Sequence, residues 1–527
     1  MADDRPEPET GPEAPSTLGL PPLTSGSIVL TGLFWSGLAH LLPQIYALAQ
    51  SIVAARILGP EGMGHQSFIA WAQISLTMLF SGGLPIALAR FVGESVGARR
   101  AGAAAHLLRW GWRIEVGGAL AGAGVLIAIA TGRGDLQSAW TLAGLACAMS
   151  ILHTVPNSVL IGLQRFKEAS MVGLALGAAG TIAVITVLTL GGGIVGMFVV
   201  EVVVSSLAMA WAGYLAHRSV AADKDRGTNF KELDRRVLRY AGLASIRVLF
   251  ALIVWRRSEV FFLERYSSVS EIAFYSVAFA VFAALSGVPN ALLATLFPAF
   301  STLYGAGDIA RIRSAFGRSL RLLIVVTLPV FTAAVIAGPR ALSFLYGGDY
   351  ERTGDVLVIL LCGFPFFVLF KLGGALLQGM NLLPKMFPVD LAALTVDFAL
   401  AITLIPHHGA IGAAWANASA QVVAAVLLLW IALRHIGKVR WHLPVLLRTV
   451  VACGAMTAPM LLGLQVAGSF GLILSALGGI AGYFLLAPRL GVIPAGDVTW
   501  LWESVGNRFG GAVGKMARLL GEKEHHR

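Results

Sequence analysis

Apolar stretches of roughly 20 residues follow one another almost end to end in this chain, each long enough to cross about 30 Å of hydrocarbon. They fall near 28–55, 64–92, 107–130, 138–162, 168–190, 193–217, 239–264, 270–303, 315–337, 353–378, 386–405, 409–433, 444–466 and 469–487, about fourteen in all. In lipid, backbone N–H and C=O groups must pair within the chain, which leaves helices or a closed barrel. Barrel strands would be half as long and would alternate polar with apolar residues. The expected fold class is therefore an all-α polytopic membrane protein. Composition agrees, with 57% hydrophobic residues, 13% charged residues and a mean hydropathy of +0.77.

One hairpin among these stretches is written twice. Gly59-Pro60-Glu61-Gly62-Met63-Gly64 leads into an apolar helix through Phe80, then Ala89-Arg90-Phe91 and Arg99-Arg100. Val269-Ser270-Glu271-Ile272-Ala273 leads into another through Leu285, then Pro298-Ala299-Phe300 and a basic loop with Arg311 and Arg313. An offset of 209 residues sets Ala89 on Pro298, Gly64 on Ala273, Thr77 on Ser286 and Arg109 on Arg318 without a gap. Gly193-Ile194-Val195-Gly196 recurs as Gly409-Ala410-Ile411-Gly412 at an offset of 216. Two related membrane halves imply a carrier, rocking about a shared cavity between them.

The expected organisation is an N-terminal six-helix lobe over 27–217, a cytoplasmic linker over 218–238, a C-terminal six-helix lobe over 239–434 and two further helices over 435–490. Residues 1–26 are acidic and Pro-rich and are expected to be disordered. Residues 491–527, with Trp500, Trp502, Arg508, Lys515 and Arg518, read as an amphipathic segment on the cytoplasmic membrane surface. Basic loops alternate with loops that carry no Lys or Arg, such as Gly191–Gly193, Pro406–Gly409 and Ala467–Ser469. By the positive-inside rule both termini are cytoplasmic. Much of the formal charge of +11 is thus a topology signal. With no soluble domain to present a basic face, nucleic acid is excluded as a partner.

The order and spacing of several segments resemble a known family. They are Ala55-Arg56-Ile57-Leu58-Gly59-Pro60-Glu61-Gly62-Met63-Gly64, Gly83-Leu84-Pro85-Ile86-Ala87-Leu88-Ala89-Arg90-Phe91 and Gly162-Leu163-Gln164-Arg165-Phe166-Lys167, then Phe274-Tyr275-Ser276-Val277-Ala278, Leu296-Phe297-Pro298 and Leu376-Leu377-Gln378-Gly379. The chain is similar over residues 27 to 487 to the polysaccharide and oligosaccharide flippases, whose superfamily includes the multidrug and toxin extrusion exporters and the lipid II flippase. The resemblance implies a V-shaped cavity between the lobes. It also implies passage of an undecaprenyl-diphosphate-linked glycan from the inner to the outer leaflet, with a glycan polymerase and glycosyltransferases as partners.

Helical spacing suggests what lines such a cavity, because polar residues do not face lipid cheaply. Ser36, His40, Gln44 and Ser51 form one stripe, and Gln66, Gln73, Thr77 and Ser81 another. Ser286 and Asn290 take the places of Thr77 and Ser81 in the second half. His40, Gln44, Gln73 and Asn290 are the candidate substrate contacts here; the alternative is hydrogen-bonded glue between helices. Arg247, Arg256, Arg257 and Glu259 share the seventh span. Arg256 and Glu259 are spaced to pair, leaving Arg257, about 100° round the helix, for a diphosphate that its planar fork suits. Arg247, Arg256 and Arg257 are therefore candidate substrate residues; the alternative is an ion pair, or arginines snorkelling to the interface.

Asp390 and Asp397 lie seven apart on the eleventh span, facing Asn417 and Gln421 on the twelfth. Such oxygens suit Na⁺, and a buried carboxylate suits H⁺, so these four are the candidate coupling residues and no other cofactor is expected. The alternative is a structural bridge from either aspartate to Lys371. Glu115, Glu201 and His153 read as pairing or packing features. Asp223-Lys224-Asp225 mimics a glycosyltransferase metal triplet but sits in a linker too short for such a domain, and Cys147, Cys362 and Cys453 are isolated. Two other functions compete with a flippase. A drug/cation antiporter would place acids in its first lobe, whereas the first two spans have none before Glu94 apart from Glu61 at the loop. A glycan polymerase or ligase would need a large outer loop.

Overall fold

The computed structural model describes residues 26–492 apart from 99–100, 221–229, 256, 295, 438 and 440–442. Side chains are described from Leu42 onward, with gaps at 101, 251, 253–255, 288, 291–292, 294 and 298. The acidic tail, Arg99-Arg100, the middle of the linker with Asp223-Lys224-Asp225, and the surface segment after 492 lie outside the described residues. The elements are α1 (Gly26–Ser81), α2 (Leu84–Gly97), α3 (Ala101–Ala130), α4 (Gln137–Gly162), α5 (Phe166–Thr189), α6 (Gly193–Ser219), α7 (Phe230–Trp255) and α8 (Glu259–Tyr266). They continue as α9 (Val269–Ala294), α10 (Leu296–Gly305), α11 (Ile309–Tyr346), α12 (Thr353–Gly379), α13 (Phe387–His408), α14 (Ala410–Ile436), α15 (Leu443–Leu464) and α16 (Gly468–Arg489). No strand occurs among the described residues.

Eleven of the described helices are long and apolar enough to cross a bilayer, and α1 with α2, bent by 46°, makes a twelfth. The described residues do not confirm the count of about fourteen, because the side chains before Leu42 and at the end of α7 lie outside them. The first two apolar stretches run together in α1, where Gly59 (φ 68°, ψ 178°) is the one non-helical residue. Pro60 then opens the second arm, where its missing N–H costs nothing. The seventh stretch begins inside α7, whose first turns carry Glu232, Asp234, Arg235 and Arg236 ahead of it.

The repeated hairpin folds alike in both halves. The second arm of α1 is followed by the 14-residue α2 and the long α3; α9 is followed by the 10-residue α10 and the long α11. The repeated glycines do matching work. Gly193 and Gly409 both take φ 56°, a left-handed conformation that starts α6 and α14 and that costs glycine little. A Cβ on Gly196 would strike Val187 of α5, and one on Gly412 would strike the Leu404 backbone of α13. Each second glycine therefore sets the close approach of a helix to its predecessor.

Within the first half α3, α4, α5 and α6 pack on one another and on α1; in the second, α9, α12, α13 and α14 do so, and α15 and α16 form a hairpin against α11. Outer faces stay apolar: Leu120 is 71% exposed and Ile182 67%. Such a surface needs lipid rather than water. The two halves meet along the Gly59 end. Gly64 lies against the Val269 carbonyl, Tyr346 donates to Ser51 Oγ at 3.2 Å, and Tyr350 donates to the Ala55 carbonyl at 3.3 Å. Arg56 donates to the carbonyls of Phe344 and Leu345, each at 2.6 Å, and Arg133 pairs with Glu264 at 3.0 Å.

The seventh span straddles the halves. Its first part, α7, holds to the first half: Ser245 Oγ accepts from Gly83 N at 2.8 Å, Arg236 pairs with Glu94 at 2.8 Å, and Asp234 meets His106 at 2.7 Å. Beyond Trp255, α8 packs instead on α9, α13 and α14.

Because Gly64 leaves no room at the seam, Gly64→Leu should lower the thermal unfolding midpoint of the purified protein, at a cost of about 1–3 kcal/mol. Gly117→Leu, where nothing lies within 4 Å of the added carbon, should leave it near wild type. Equal midpoints for the two variants would contradict a tight seam.

Candidate transport site

A cavity of about 730 Å³ lies between the halves. From the first half it is walled by Gln44, Gln50 and Ser51 of α1's first arm and by Gln66, Ser67, Trp71 and Ser75 of the second. This wall is polar but uncharged. The opposite wall carries Arg257, Ser286, Asn290 and Lys371, with Phe279 and Phe367 between them. Arg257 lies over the Phe279 ring at 5.4 Å and Lys371 over Phe367 at 5.3 Å, so aromatic faces hold both cations at the wall. No Asp or Glu is among the described lining residues.

Arg257 reaches the cavity through a break in the backbone. It sits at φ 59°, a conformation that costs an L-residue roughly 1–2 kcal/mol. The next two residues turn the other way, into the second half. Ser258 donates to Asp397 Oδ2 at 3.0 Å, and Glu259 Oε1 accepts from Asn417 Nδ2 at 2.7 Å. Gln421 Nε2 donates to Asn417 Oδ1 at 2.5 Å. Glu259 and Asp397 are both 0% exposed, and their carboxyl groups are neighbours with Tyr275 alongside. Glu259 Oε2, Asp397 Oδ1 and Gln421 Oε1 are buried without a hydrogen-bond partner among the described residues. Two adjacent carboxyl groups out of water call for something positive between them, a shared proton or a small cation. Asn417 and Gln421 also line the cavity, so they connect this cluster to it.

The sequence candidates thus divide. Gln44, Asn290 and Arg257 line the cavity; Arg247 is half-buried on α7 and is not among the lining residues. Gln73, 2% exposed, points into the first half and donates to Glu201 at 2.7 Å, because the cavity face of that helix is the Ser67, Trp71, Ser75 and Met78 stripe. Thr77 and Ser81 bond back to their own helix at Gln73 and Thr77 carbonyls. The Arg256 backbone and the side chains of Ser36 and His40 lie outside the described residues. Asp397, Asn417 and Gln421 come together as their spacing suggests. Asp390 does not join them: it is buried in the first turn of α13, two turns or about 10 Å along the helix from Asp397. The residue the sequence reading missed is Glu259. Its spacing suits a pair with Arg256, but its partners come from α13 and α14, and no local pattern announces contacts 138 and 158 residues away.

A helical bundle with a polar, lobe-spanning cavity closed at one end is the form of a membrane transporter. Among solved structures the fold is shared with the lipid II flippase MurJ in an inward closed conformation, at TM-score 0.70 and 15% identity, covering 86% of this chain and 98% of that one. It is shared too with an inward-facing multidrug resistance MATE family transporter of the MOP superfamily, at TM-score 0.63 and 15% identity, covering 75% and 94%. The polysaccharide biosynthesis protein family matches residues 29–304, and the chain belongs to that family. A relative from Shigella flexneri, named "Putative O-antigen transporter", is 21% identical over 415 residues, 75% of this chain and 96% of its own length.

The carboxyl pair makes a stability test. Asn417→Ala strips Glu259 Oε1 of its donor and should cost about 1–3 kcal/mol in thermal or denaturant unfolding. Glu259→Gln keeps the shape and removes one of two like charges, so in Na⁺-free buffer it should cost less or raise the midpoint. The opposite ranking would show that the two carboxyl groups do not strain one another.

Proposed function

We propose that this protein is a flippase that carries lipid-diphosphate-linked oligosaccharide units across the cytoplasmic membrane for cell-surface polysaccharide synthesis. The observation that carries this reading is the polarity of the cavity: two cations on one wall, uncharged amides and hydroxyls on the other, and no acid among the described lining residues. Arg257 and Lys371 suit the diphosphate, the first as a planar fork and the second as a point charge. Gln44, Gln50, Gln66 and Asn290 offer paired donors and acceptors to sugar hydroxyls, and Trp71 offers a flat apolar face to a sugar ring. A volume of about 730 Å³ holds a headgroup of modest size, within the ~300–1,000 Å³ of ordinary ligand sites. The lipid tail would stay in the bilayer. A cation-exporting drug antiporter is the poorer fit, since the charged side chains among the described lining residues, Arg257 and Lys371, are both cationic.

Transport then requires the seam at the Gly59 end to part while the basic-loop end closes. Na⁺ or H⁺ at Glu259 and Asp397 would supply the bias, because the break after Trp255 joins that site to α7, which rides on the other half. The substrate is supplied by enzymes that build glycans on a lipid diphosphate, and the product is consumed by a polymerase or ligase at the outer face.

Arg257→Ala should lower surface polysaccharide by about tenfold or more while the protein stays at normal abundance in the membrane, and Arg257→Lys should restore only part of it. Normal polysaccharide with Arg257→Ala at normal abundance would remove the diphosphate role from this position. Asp397→Asn should abolish the Na⁺ or H⁺ dependence of transport in vesicles while substrate binding persists. Ion-dependent transport of wild-type size in that variant would place coupling elsewhere.

A further inference from the structure

We propose that a notch between α3 and α6, on the outer surface of the first half, binds the phosphate headgroup of an anionic phospholipid. Arg109, Trp112 and Arg113 of α3 and Gly213 and His217 of α6 surround a concavity of about 430 Å³. It shares no lining residue with the central cavity. Arg109, Arg113 and His217 are exposed, so the notch opens away from the bundle core.

Depth places it at a membrane surface. Arg113 stands 17 residues before Ala130, the far end of α3, which is about 26 Å along the axis. Arg109 is one turn further out. The two guanidinium groups therefore bracket the edge of a hydrocarbon layer about 30 Å thick, on the side of the basic loops. His217 reaches the same level from α6, 24 residues or about 36 Å from Gly193. Trp112, half-buried beside them, is the residue type that prefers this interface.

Charge and shape both converge on an anion. Of the acids near this end, Asp234 meets His106, Glu94 meets Arg236 and Glu168 meets Arg165, while Glu115, two residues beyond Arg113, is buried in the bundle at 1% exposure. Arg109, Arg113 and His217 have no hydrogen-bond or ion-pair partner among the described residues. Arg109 and Arg113 are one turn apart and share a face of α3. Gly213 forms the floor: a Cβ there would sit 3.6 Å from Trp112 Cζ2, an ordinary contact, so the space is available because the side chain is missing. A merely topological basic residue needs no such pocket, whereas a phosphodiester fits the two guanidinium forks while its acyl chains lie along the exposed apolar Val116 and Leu120 of α3.

Full-length protein purified in mild detergent would be titrated with phosphatidylglycerol or phosphatidylcholine, and lipid bound to the intact protein counted by mass spectrometry. Phosphatidylglycerol should bind in preference to phosphatidylcholine, and Arg109→Gln combined with Arg113→Gln should weaken it on the order of thirtyfold. Gly213→Leu fills the notch and leaves every charge in place, so it should weaken binding similarly. Undiminished binding in Gly213→Leu would mean a diffuse basic surface and overturn the site. So would equal retention of the two lipids by the wild-type protein, a comparison that needs no variant to fold. Displacement of phosphatidylglycerol by millimolar inorganic phosphate would overturn the lipid and leave a soluble anion in its place.

Discussion

The cavity cation and the buried carboxyl pair both depend on one turn, Arg257–Ser258 in the seventh span. A continuous helix would place Arg257, Ser258 and Glu259 about 100° apart in regular order. The left-handed backbone at Arg257 lets one residue face the cavity while the next two enter the second half. The same break lets α7 stay with α2 and α3 as α8 joins α13 and α14. A buried carboxyl pair, a cavity cation and the contact between the halves are thus joined through a few bonds of backbone. The local strain, roughly 1–2 kcal/mol, is small beside the cost of leaving those groups without partners.

The contacts that close the Gly59 end are of a different kind from those inside each half. Arg133 and Glu264 have side chains 38% and 28% exposed, and Arg56 reaches backbone carbonyls from an exposed position. Exposed pairs of this sort contribute about 0–1 kcal/mol each. Inside the second half, by contrast, Tyr275, Phe364, Leu360, Ala414 and Leu428 are fully buried. Polar contacts this weak can be exchanged at little cost at the rim of the seam, while α1 and α9 pack closely behind them.

How much of this could be read from the amino-acid sequence depends on the range of the interaction. The helical class and the repeated hairpin were legible because apolar run length and glycine placement are local. Gly193 and Gly409 have the same φ because the same turn is needed twice. The Asp397, Asn417 and Gln421 grouping was legible in part, since each helix shows its own stripe. Glu259 was not, because a carboxylate three residues after an arginine looks like that arginine's partner until the chain bends. Gln73 shows the opposite error: buried against Glu201, it has the periodicity of a residue lining a wet face. Polar spacing identifies an inward face but cannot tell a cavity from a partner on a neighbouring helix.

Gly59 carries a consequence of a mechanical sort. With one residue between its two arms, α1 has no slack where the first pair of spans turns back on itself. The two arms are a bent rod rather than tethered rods, and a displacement of either is passed to the other at once. The joints of this molecule include residue 59, where the first two spans meet, and the turns at 82–83 and 257–258. Length added at the tip of that first turn would therefore act as a spring inserted into a lever, and surface exposure there is a poor guide to tolerance.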